Sequence, residues 1–379
     1  MDVGINAHLL SLSQGYRNAG VGRYIYYLLA ELAQRDDGIR YTVYSHDTPS
    51  AAAVKRGPDL RYVTTRLNTV EPKRRIFYEQ VVLPWLLPGR VDLLHAPVNV
   101  VPLLSPVPTV LTIHDLAFLV KPERYLPAKR RYLETFTRLS VRRALHIIAD
   151  SENTRQDVVR LLDVAPEHVA TVPLGVSPHL HPPDAEALAA FRARRQLPQQ
   201  YLLYLGTLEP RKNLVTLLHA YAGLRRRGLE WPLVLAGGKG WLYEEVFAAV
   251  KQLNLADHVY FPGYVSHEEQ PLWYGGATIF VYPSTYEGFG LPVLEAMACG
   301  APVLTSTASS LPEAAGDAAL LVDCTDEEAL ENALDRLAGD DALRADLVRR
   351  GLARAATFPW SRTAAETARI YARVAANLH

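Results

Sequence analysis

Cysteine is scarce in this sequence: only Cys299 and Cys324 occur among 379 residues. Two cysteines cannot build a disulfide framework, so the composition favours a reducing compartment. Long apolar runs are also missing, because prolines interrupt the most apolar stretch, 98–113, whereas a membrane span needs about 20 largely unbroken apolar residues. The N-terminus has no basic region followed by an apolar run, which predicts no secretory signal. A cytoplasmic protein is therefore expected.

The chain also lacks an excess of either charge, since 40 Lys and Arg balance 40 Asp and Glu. This balance argues against a nucleic-acid-binding protein, which commonly carries a basic excess. Hydrophobic residues make up 49% and charged residues 21%, as in ordinary globular proteins. The length favours two domains, each large enough to bury its own core.

Short runs rich in Val, Ile, Leu and Tyr alternate with longer helical patterns, which is typical of parallel sheets covered by helices. The strands predicted in the first half are Val3–Ala7, Tyr41–Ser45, Tyr62–Leu67, Val91–Ala96, Val110–His114, Ile147–Asp150 and Val169–Leu174. After a proline-rich stretch, those predicted in the second half are Tyr201–Leu205, Leu233–Ala236, Val259–Phe261, Ile279–Tyr282, Val303–Thr305 and Ala319–Val322. We therefore expect two doubly wound α/β domains, 1–178 and 179–360.

Two carboxylates, Glu287 and Glu295, lie eight residues apart around a Gly-Phe-Gly turn that follows an apolar strand. Gly288 and Gly290 permit backbone angles that residues with a Cβ resist. Pro292 fits the first turn of a helix, where its missing N–H costs nothing. The pattern predicts a strand, a tight turn and a helix, with one carboxylate on the turn and the other on the helix.

The start of this predicted helix is suited to oxygen-rich ligands. Three amides would lie at its positive end, where phosphate or sugar oxygens bind: those of Phe289, Gly290 and Leu291. A carboxylate repels phosphate, so we expect Glu287 to bind hydroxyl groups. Neighbouring sites for a diphosphate and a polyol indicate a sugar nucleotide.

The two carboxylates resemble the E-x7-E motif of the retaining glycosyltransferases of family 4, which have the GT-B fold. The resemblance extends, in the family's order, to Gly20-Val-Gly22, Ile113-His114-Asp115, Gly206-Thr-Leu-Glu-Pro-Arg211-Lys212-Asn213 and Phe261-Pro-Gly263-Tyr-Val265. It implies two Rossmann-like doubly wound parallel-sheet domains facing a central cleft. The first would bind the acceptor and the second the nucleotide-sugar donor, and the terminal helix 361–379 would pack back onto the first domain.

Arg211 and Lys212 precede a predicted helix that begins near Asn213. Two cations at a helix start oppose the helix dipole, so an anion is expected between them. A diphosphate leaving group fits, because fixed cations would stabilise the charge that grows on it. The alternative is a solvated basic turn.

The resemblance also implies a role for each remaining site residue. Glu287 would hold hydroxyls of the transferred hexose, and Glu295 the ribose diol. His114 would lie under the donor sugar, joining Glu287, Arg211 and Lys212 in catalysis. A base pocket would be lined by Gly263, Tyr264 and Val265, and a glycine loop against the diphosphate or acceptor would come from Gly20 and Gly22. For Glu287 and Glu295 the alternatives are two surface carboxylates or a glycosidase acid–nucleophile pair. For His114 the alternative is a structural histidine, and for the two N-terminal glycines it is an ordinary turn.

The resemblance implies transfer of a hexose, with mannose favoured, from a nucleotide diphosphate-sugar to a hydroxyl of a glycan, a lipid-linked sugar or a small molecule. GDP-mannose is the favoured donor and a UDP-sugar the next. No cofactor and no metal are expected. The alternatives are a sugar-nucleotide epimerase, another GT-B activity or a catalytically silent sugar-nucleotide-binding protein.

Residues 121–143 contain eight Lys and Arg against two Glu. On a helix from Ala128 onward, Tyr132, Phe136 and Leu139 would share one face. Such a segment suits peripheral contact with an anionic membrane at its inner face, and with it a lipid-linked acceptor. The alternative is a helix that packs its apolar face on the sheet and leaves a basic side in solvent.

Overall fold

The computed structural model describes residues 1–10, 19–46 and 59–377. The chain divides into two compact units. The first comprises Met1–Gly175 and Trp360–His379, and the second is Val176–Pro359.

The first unit is built on a seven-stranded parallel sheet with the order β3-β2-β1-β4-β5-β6-β7. Its strands are β1 (Asp2–Asn6), β2 (Arg40–His46), β3 (Leu60–Thr65), β4 (Leu93–Ala96), β5 (Thr109–Ile113), β6 (His146–Ala149) and β7 (Val169–Thr171). Every residue of β4, β5 and β6 is buried. This burial explains their near-continuous apolar sequences, because a central parallel strand is covered on both faces.

Helices cover this sheet within the described ranges. They are α1 (Ala19–Leu32), α2 (Pro72–Phe77), α3 (Leu83–Leu86), α4 (Ala117–Val120), α5 (Pro127–Arg143) and α6 (Glu152–Leu162). A π-helical turn, Tyr78–Val82, joins α2 to α3. Helix α6 begins where the Ser151 hydroxyl accepts a hydrogen bond from the Thr154 amide at 3.0 Å, as expected for an N-cap serine.

The second unit has a six-stranded parallel sheet with the order β10-β9-β8-β11-β12-β13. Its strands are β8 (Leu202–Leu205), β9 (Leu233–Ala236), β10 (Val259–Gly263), β11 (Ile279–Tyr282), β12 (Val303–Ser306) and β13 (Leu320–Val322). Its helices are α7 (Ala185–Arg195), α8 (Leu214–Arg226), α9 (Glu244–Gln252), α10 (Gln270–Gly276), α11 (Leu291–Ala298), α12 (Leu311–Ala315), α13 (Glu327–Gly339) and α14 (Asp341–Ala355). Both units therefore have the doubly wound parallel architecture that the sequence predicts.

The last helix, α15 (Trp360–Ala376), belongs to the first unit. The Tyr371 hydroxyl lies 2.7 Å from Nδ1 of the buried His95, and the Thr363 hydroxyl donates to the Pro173 carbonyl at 2.7 Å. The rings of Tyr27 and Trp360 stack at 5.2 Å. Helix α15 is thus an integral part of that unit's core.

The N-terminal helix differs from the prediction. We expected Gly20 and Gly22 in a loop ahead of a helix from about Tyr24 to Gln34, but α1 already begins at Ala19. Gly22 is buried and lies three residues before the buried Ile25. It therefore belongs to the face of α1 that packs inward. The expected glycine loop is wrong as a structure, because both glycines lie in the first helical turn.

Candidate active site

The cations and carboxylate predicted from the sequence meet at the topological switch point of the second sheet. Strands β8 and β11 are neighbours there, and the chain leaves them for opposite edges of the sheet. In open α/β sheets ligands bind outside the carboxyl ends of the strands at such a point. The loop after β8 carries Arg211 and Lys212, and the loop after β11 carries Glu287. A backbone hydrogen bond from the Thr285 amide to the Arg211 carbonyl, 2.9 Å long, joins the two loops.

The loop after β8 holds its cations in a single 3₁₀ turn, Pro210–Lys212, directly before α8. Asn213 follows with φ of 60°, a left-handed conformation that asparagine tolerates. Its side-chain amide donates to the Cys324 carbonyl at 2.5 Å, and its Oδ1 accepts from Thr216 at 2.7 Å. These contacts fix the start of α8 and with it the two cations.

Glu287 is the centre of a buried hydrogen-bonded ion cluster. Its Oε2 accepts from Arg211 Nη1 at 2.7 Å, and its Oε1 accepts from Lys212 Nζ at 2.5 Å. The same Oε1 accepts from the Ser284 hydroxyl at 2.6 Å and the Tyr282 hydroxyl at 3.1 Å. Both carboxylate oxygens are thus engaged by protein donors.

Burial and the neighbouring opposite charges shift the pKa values of Glu287 and Lys212 in opposite directions. Burial alone would raise the pKa of Glu287, but the Arg211 and Lys212 cations and the hydrogen bonds from Lys212 and Ser284 lower it to about 2. Burial and the nearby Arg211 cation lower the pKa of Lys212, against the opposing effect of Glu287. Glu209, also buried, forms a second ion pair with Arg211. The cluster therefore contains two cations, Arg211 and Lys212, and two carboxylates, Glu209 and Glu287.

The ion pairs of Glu287 with Arg211 and Lys212 were not predicted from the sequence. The prediction gave the cations to phosphate and Glu287 to sugar hydroxyls as separate roles. The pairing arises because buried charges require partners, and the two loops start from neighbouring strands. Tyr282 and Ser284, whose hydroxyls complete the cluster, were not predicted as site residues either. The position of Ser284, two residues after β11, is the signal that would have indicated one of them.

The turn from Glu287 to Gly290 has the predicted form. Gly290 has φ of 104° and is the N-cap of α11, and Pro292 lies in the first helical turn. A Cβ on Gly290 would lie 2.9 Å from Leu311 Cδ2, so glycine meets both a backbone and a packing requirement. The Ser309 hydroxyl accepts from the Glu287 amide at 2.8 Å, and the Ser310 hydroxyl donates to the Glu287 carbonyl at 2.9 Å.

The remaining predicted residues of the second unit lie on α11 and its preceding turn, and after the edge strand β10. Glu295 is buried on α11, where its Oε2 accepts from the Tyr274 hydroxyl at 3.0 Å. Phe289 is buried, with its ring 5.7 Å from that of Phe358. Gly263 ends β10, Tyr264 is 46% exposed, and Val265 is buried. Of this three-residue segment, Tyr264 has the most exposed side chain.

His114 follows β5 in the first unit, as predicted, and both of its ring nitrogens are engaged. Nδ1 lies 2.7 Å from Asp150 Oδ2, and Nε2 lies 3.0 Å from the Pro97 carbonyl oxygen. Burial would lower the pKa of His114, but the Asp150 carboxylate and the Pro97 carbonyl raise it above its usual value. Since the carbonyl oxygen only accepts, Nε2 carries a proton and donates it to Pro97. Asp150 was not predicted, although it directly follows β6, the neighbour of β5.

Helix α5 turns a different face inward than expected. We expected Tyr132, Phe136 and Leu139 to form its apolar face, but Thr137, Ser140 and Val141 are its buried residues. Leu139 is 41% exposed. The reason is that Ser140 satisfies a backbone group, accepting from the Val101 amide at 3.0 Å, so a polar position lies inside.

Among the helices of ranges 1–10, 19–46 and 59–377, none is long and apolar enough to cross a bilayer. In the same ranges no three His, Cys, Asp or Glu side chains are grouped so as to hold a metal ion.

Two family models and a curated relative match this chain. The model of the family "Glycosyl transferases group 1" matches residues 189–354, and that of "Glycosyltransferase Family 4" matches residues 18–180. The chain is 37% identical to O-antigen chain mannosyltransferase B of Escherichia coli over 264 residues, which cover 69% of each chain.

Solved structures show the same fold over nearly the whole chain. Sucrose-phosphate synthase from Thermosynechococcus elongatus is 23% identical, covers 99% of both chains and has a TM-score of 0.78. HepE from Anabaena, solved with UDP and glucose, is 17% identical, covers 98% of this chain and 100% of its own, and has a TM-score of 0.76. These likenesses establish the fold, two Rossmann-like units of the GT-B class.

Proposed function

Because the chain belongs to the group 1 glycosyltransferases of family 4, we propose that it moves a hexose from a nucleotide diphosphate-sugar to an acceptor hydroxyl. The acceptor is a glycan, a lipid-linked sugar or a small molecule. The observation that carries the proposal is the pair of cations, Arg211 and Lys212, held by Glu287 at the switch point of the second sheet.

The cations bind the diphosphate of the donor. Negative charge grows on the β-phosphate as the bond to the sugar breaks, and cations already in place stabilise that charge without reorganising. Glu287 keeps them aligned in the resting protein. When the diphosphate takes over part of their interactions, a Glu287 oxygen becomes available to the hexose hydroxyls. Glu295 binds the ribose diol, and the segment from Gly263 to Val265 contacts the base.

The reaction retains the anomeric configuration. The bond between the anomeric carbon and the β-phosphate oxygen breaks, and the acceptor oxygen bonds to the same face of the sugar. The acceptor proton passes to the departing phosphate. His114 is not the base, since Asp150 and Pro97 occupy its nitrogens. Its ring is held in place by these two contacts, and it supports the donor sugar, as the family resemblance implies. Arg211 and Lys212 supply the positive charge, and the transfer proceeds without a metal.

The favoured donor is GDP-mannose. The support is the 37% identity to an enzyme named as an O-antigen chain mannosyltransferase. A UDP-sugar is the next candidate, because a structure of the same fold was solved with UDP and glucose. The test is incubation with GDP-mannose and methyl α-mannoside, with and without EDTA. Release of GDP unaffected by EDTA, together with an α-linked product by NMR, supports the proposal, and absence of transfer from both GDP-mannose and UDP-glucose refutes it.

We further propose that the first unit contacts an anionic membrane, at the inner face of the cytoplasmic membrane, through residues 121–143. Leu126, Lys129 and Arg130 are exposed at the start of α5, and Leu126 keeps 74% of its surface. An exposed leucine beside cations suits the boundary between headgroups and acyl chains.

Vesicles containing phosphatidylglycerol test this contact by co-sedimentation at low salt. Each basic residue near the surface adds about 1 kcal/mol, so Arg130→Glu weakens binding by roughly tenfold or more. The matched control is Arg226→Glu, an exposed arginine of the second unit. Equal binding by the two variants, or none by the wild type, contradicts the proposal.

A further inference from the structure

The first unit has a switch point of its own, between β1 and β4. Strands β1 to β3 run toward one edge of the sheet and β4 to β7 toward the other. The carboxyl end of β1 is therefore the place where an open α/β sheet binds a ligand. Asn6 ends this strand, and His8 follows two residues later. Both are buried, and the donor site does not use them.

A buried carboxyl group faces this strand end. Glu79 lies in the π-helical turn Tyr78–Val82, a rare conformation that occurs frequently at functional sites. Asn6 Nδ2 donates to Glu79 Oε1 at 3.3 Å, and Arg75 Nε lies 3.9 Å from the same oxygen. The turn brings Glu79 inward while Val81, two residues on, remains 46% exposed.

The charge of this carboxyl group is poorly compensated. Burial raises the pKa of Glu79 to about 7, and Arg75 and Asn6 offset only part of that effect. A buried acid with this environment costs folding free energy, and such groups concentrate where ligands bind.

His8 offers a second unused hydrogen-bonding group. Its Nδ1 lies 3.0 Å from the Thr69 hydroxyl, and its ring meets that of Tyr78 edge-on at 4.4 Å. Its Nε2 is buried, and within the described part of the chain it has no hydrogen-bond partner. Leaving such an atom unpaired costs about 1–3 kcal/mol, so a ligand that bonds to it would remove this cost.

An aromatic ring lies beside these groups. Tyr78, in the same π-helical turn as Glu79, is buried and meets the His8 ring edge-on. An apolar ring face next to a few fixed polar groups matches a sugar, which has an apolar C–H face and a rim of hydroxyls.

We propose that Asn6, His8 and Glu79 bind the terminal hexose of the acceptor. The ligand is a neutral polyol, because the Glu79 carboxylate would repel an anion. This inference rests on the proposed function, since it concerns the acceptor of that transfer, and it adds the residues and the sugar class of the acceptor subsite.

The direct test is saturation-transfer difference NMR of the full chain with methyl α-D-mannopyranoside at pH 8, where Glu79 is mostly ionised. Glu79→Gln keeps the size of the side chain and removes one acceptor atom and the charge. We expect it to weaken mannoside binding by roughly tenfold, the usual effect of losing a hydrogen bond to a charged group. The matched control is Glu167→Gln, an exposed position of the same unit, with binding equal to wild type. Unchanged binding in Glu79→Gln, or no binding by the wild type, overturns the proposal.

A second variant guards against a folding defect. His8→Phe keeps an aromatic ring and removes both nitrogens, the unpaired Nε2 and the Nδ1 that contacts Thr69, so it too should weaken mannoside binding while the melting shift with GDP stays as in wild type. Loss of the GDP shift in wild type would instead count against the donor assignment and leave this test intact. Normal donor turnover with an unchanged KM for the mannoside in both variants would contradict only the acceptor subsite.

Discussion

Lys212 Nζ lies 2.5 Å from Glu287 Oε1, although 75 positions separate the two residues in the chain. The contact joins the loops that leave the two central strands of the second sheet. A lysine held in this way needs no rearrangement when charge develops on a leaving group, which is the condition for electrostatic catalysis. The same contact makes each charge depend on the other, because a buried charge without its partner is costly.

Removing the carboxylate alone should destabilise the protein. Glu287→Gln leaves Lys212 and Arg211 short of a counter-charge, which costs about 3–5 kcal/mol when a buried pair is broken. Adding Lys212→Met removes one unpaired cation, so the double variant should be more stable than Glu287→Gln alone. Urea unfolding of the four proteins of this cycle measures the coupling. Strictly additive losses would show that the two side chains do not interact.

Lys212→Met tests catalysis by the cation. Methionine has a similar length and no charge, so we expect kcat to fall about 10²–10³-fold, the usual effect of losing one group that stabilises the transition state. Lys251→Met is the matched control, because Lys251 is exposed on α9. A kcat for Lys212→Met within twofold of that control would remove Lys212 from the mechanism.

The strands could be predicted from sequence because each is a short apolar run bounded by turn residues. The predicted run Leu233–Ala236 coincides with β9, and Ile279–Tyr282 with β11. The Gly290 turn was also predictable, since local backbone chemistry determines it. The pairing of Glu287 with Arg211 and Lys212 was not, because it depends on which strands become neighbours in the sheet. The contact of Asp150 with His114 was not predicted for the same reason.

The contact between Asp150 and His114 predicts that the pKa of His114 changes when the carboxylate is removed. In Asp150→Asn the His114 ring loses the carboxylate that raises its pKa, so burial dominates and the pKa of His114 falls below its usual value. Long-range ¹H–¹⁵N NMR of the histidine ring nitrogens follows this titration. His181→Gln, which removes an exposed histidine, assists the assignment. A His114 pKa that stays raised in Asp150→Asn would show that the carboxylate is not its cause.

Glu79 predicts a dependence of stability on pH. Its pKa is about 7 in the folded protein against 4.5 when unperturbed. The folded state therefore holds a proton that the unfolded state releases, and stability is lost as pH rises from about 4.5 to 7. The loss amounts to about 3 kcal/mol. Urea unfolding at pH 5 and pH 8 should show this decline in wild type and a smaller one in Glu79→Gln. Identical declines would contradict the assignment.

Helix positions were harder to predict than strands. Gly20 and Gly22 favoured a loop in the prediction, yet α1 includes both of them and begins at Ala19. On α5 the aromatic residues indicated the buried face, whereas Ser140 lies inside because it binds the Val101 amide. In both helices packing and backbone hydrogen bonding outweigh residue preference.

The most direct test of the account is thermal unfolding of wild type and Lys212→Met with GDP, UDP and ADP. A nucleotide that binds only the folded state stabilises it by about 2.7 kcal/mol at 100 times its Kd. We predict that GDP raises the melting temperature of wild type more than UDP or ADP does, and that Lys212→Met loses most of that shift. No shift with any of the three at millimolar concentration, or an equal shift in the variant, would contradict a diphosphate site at Arg211 and Lys212.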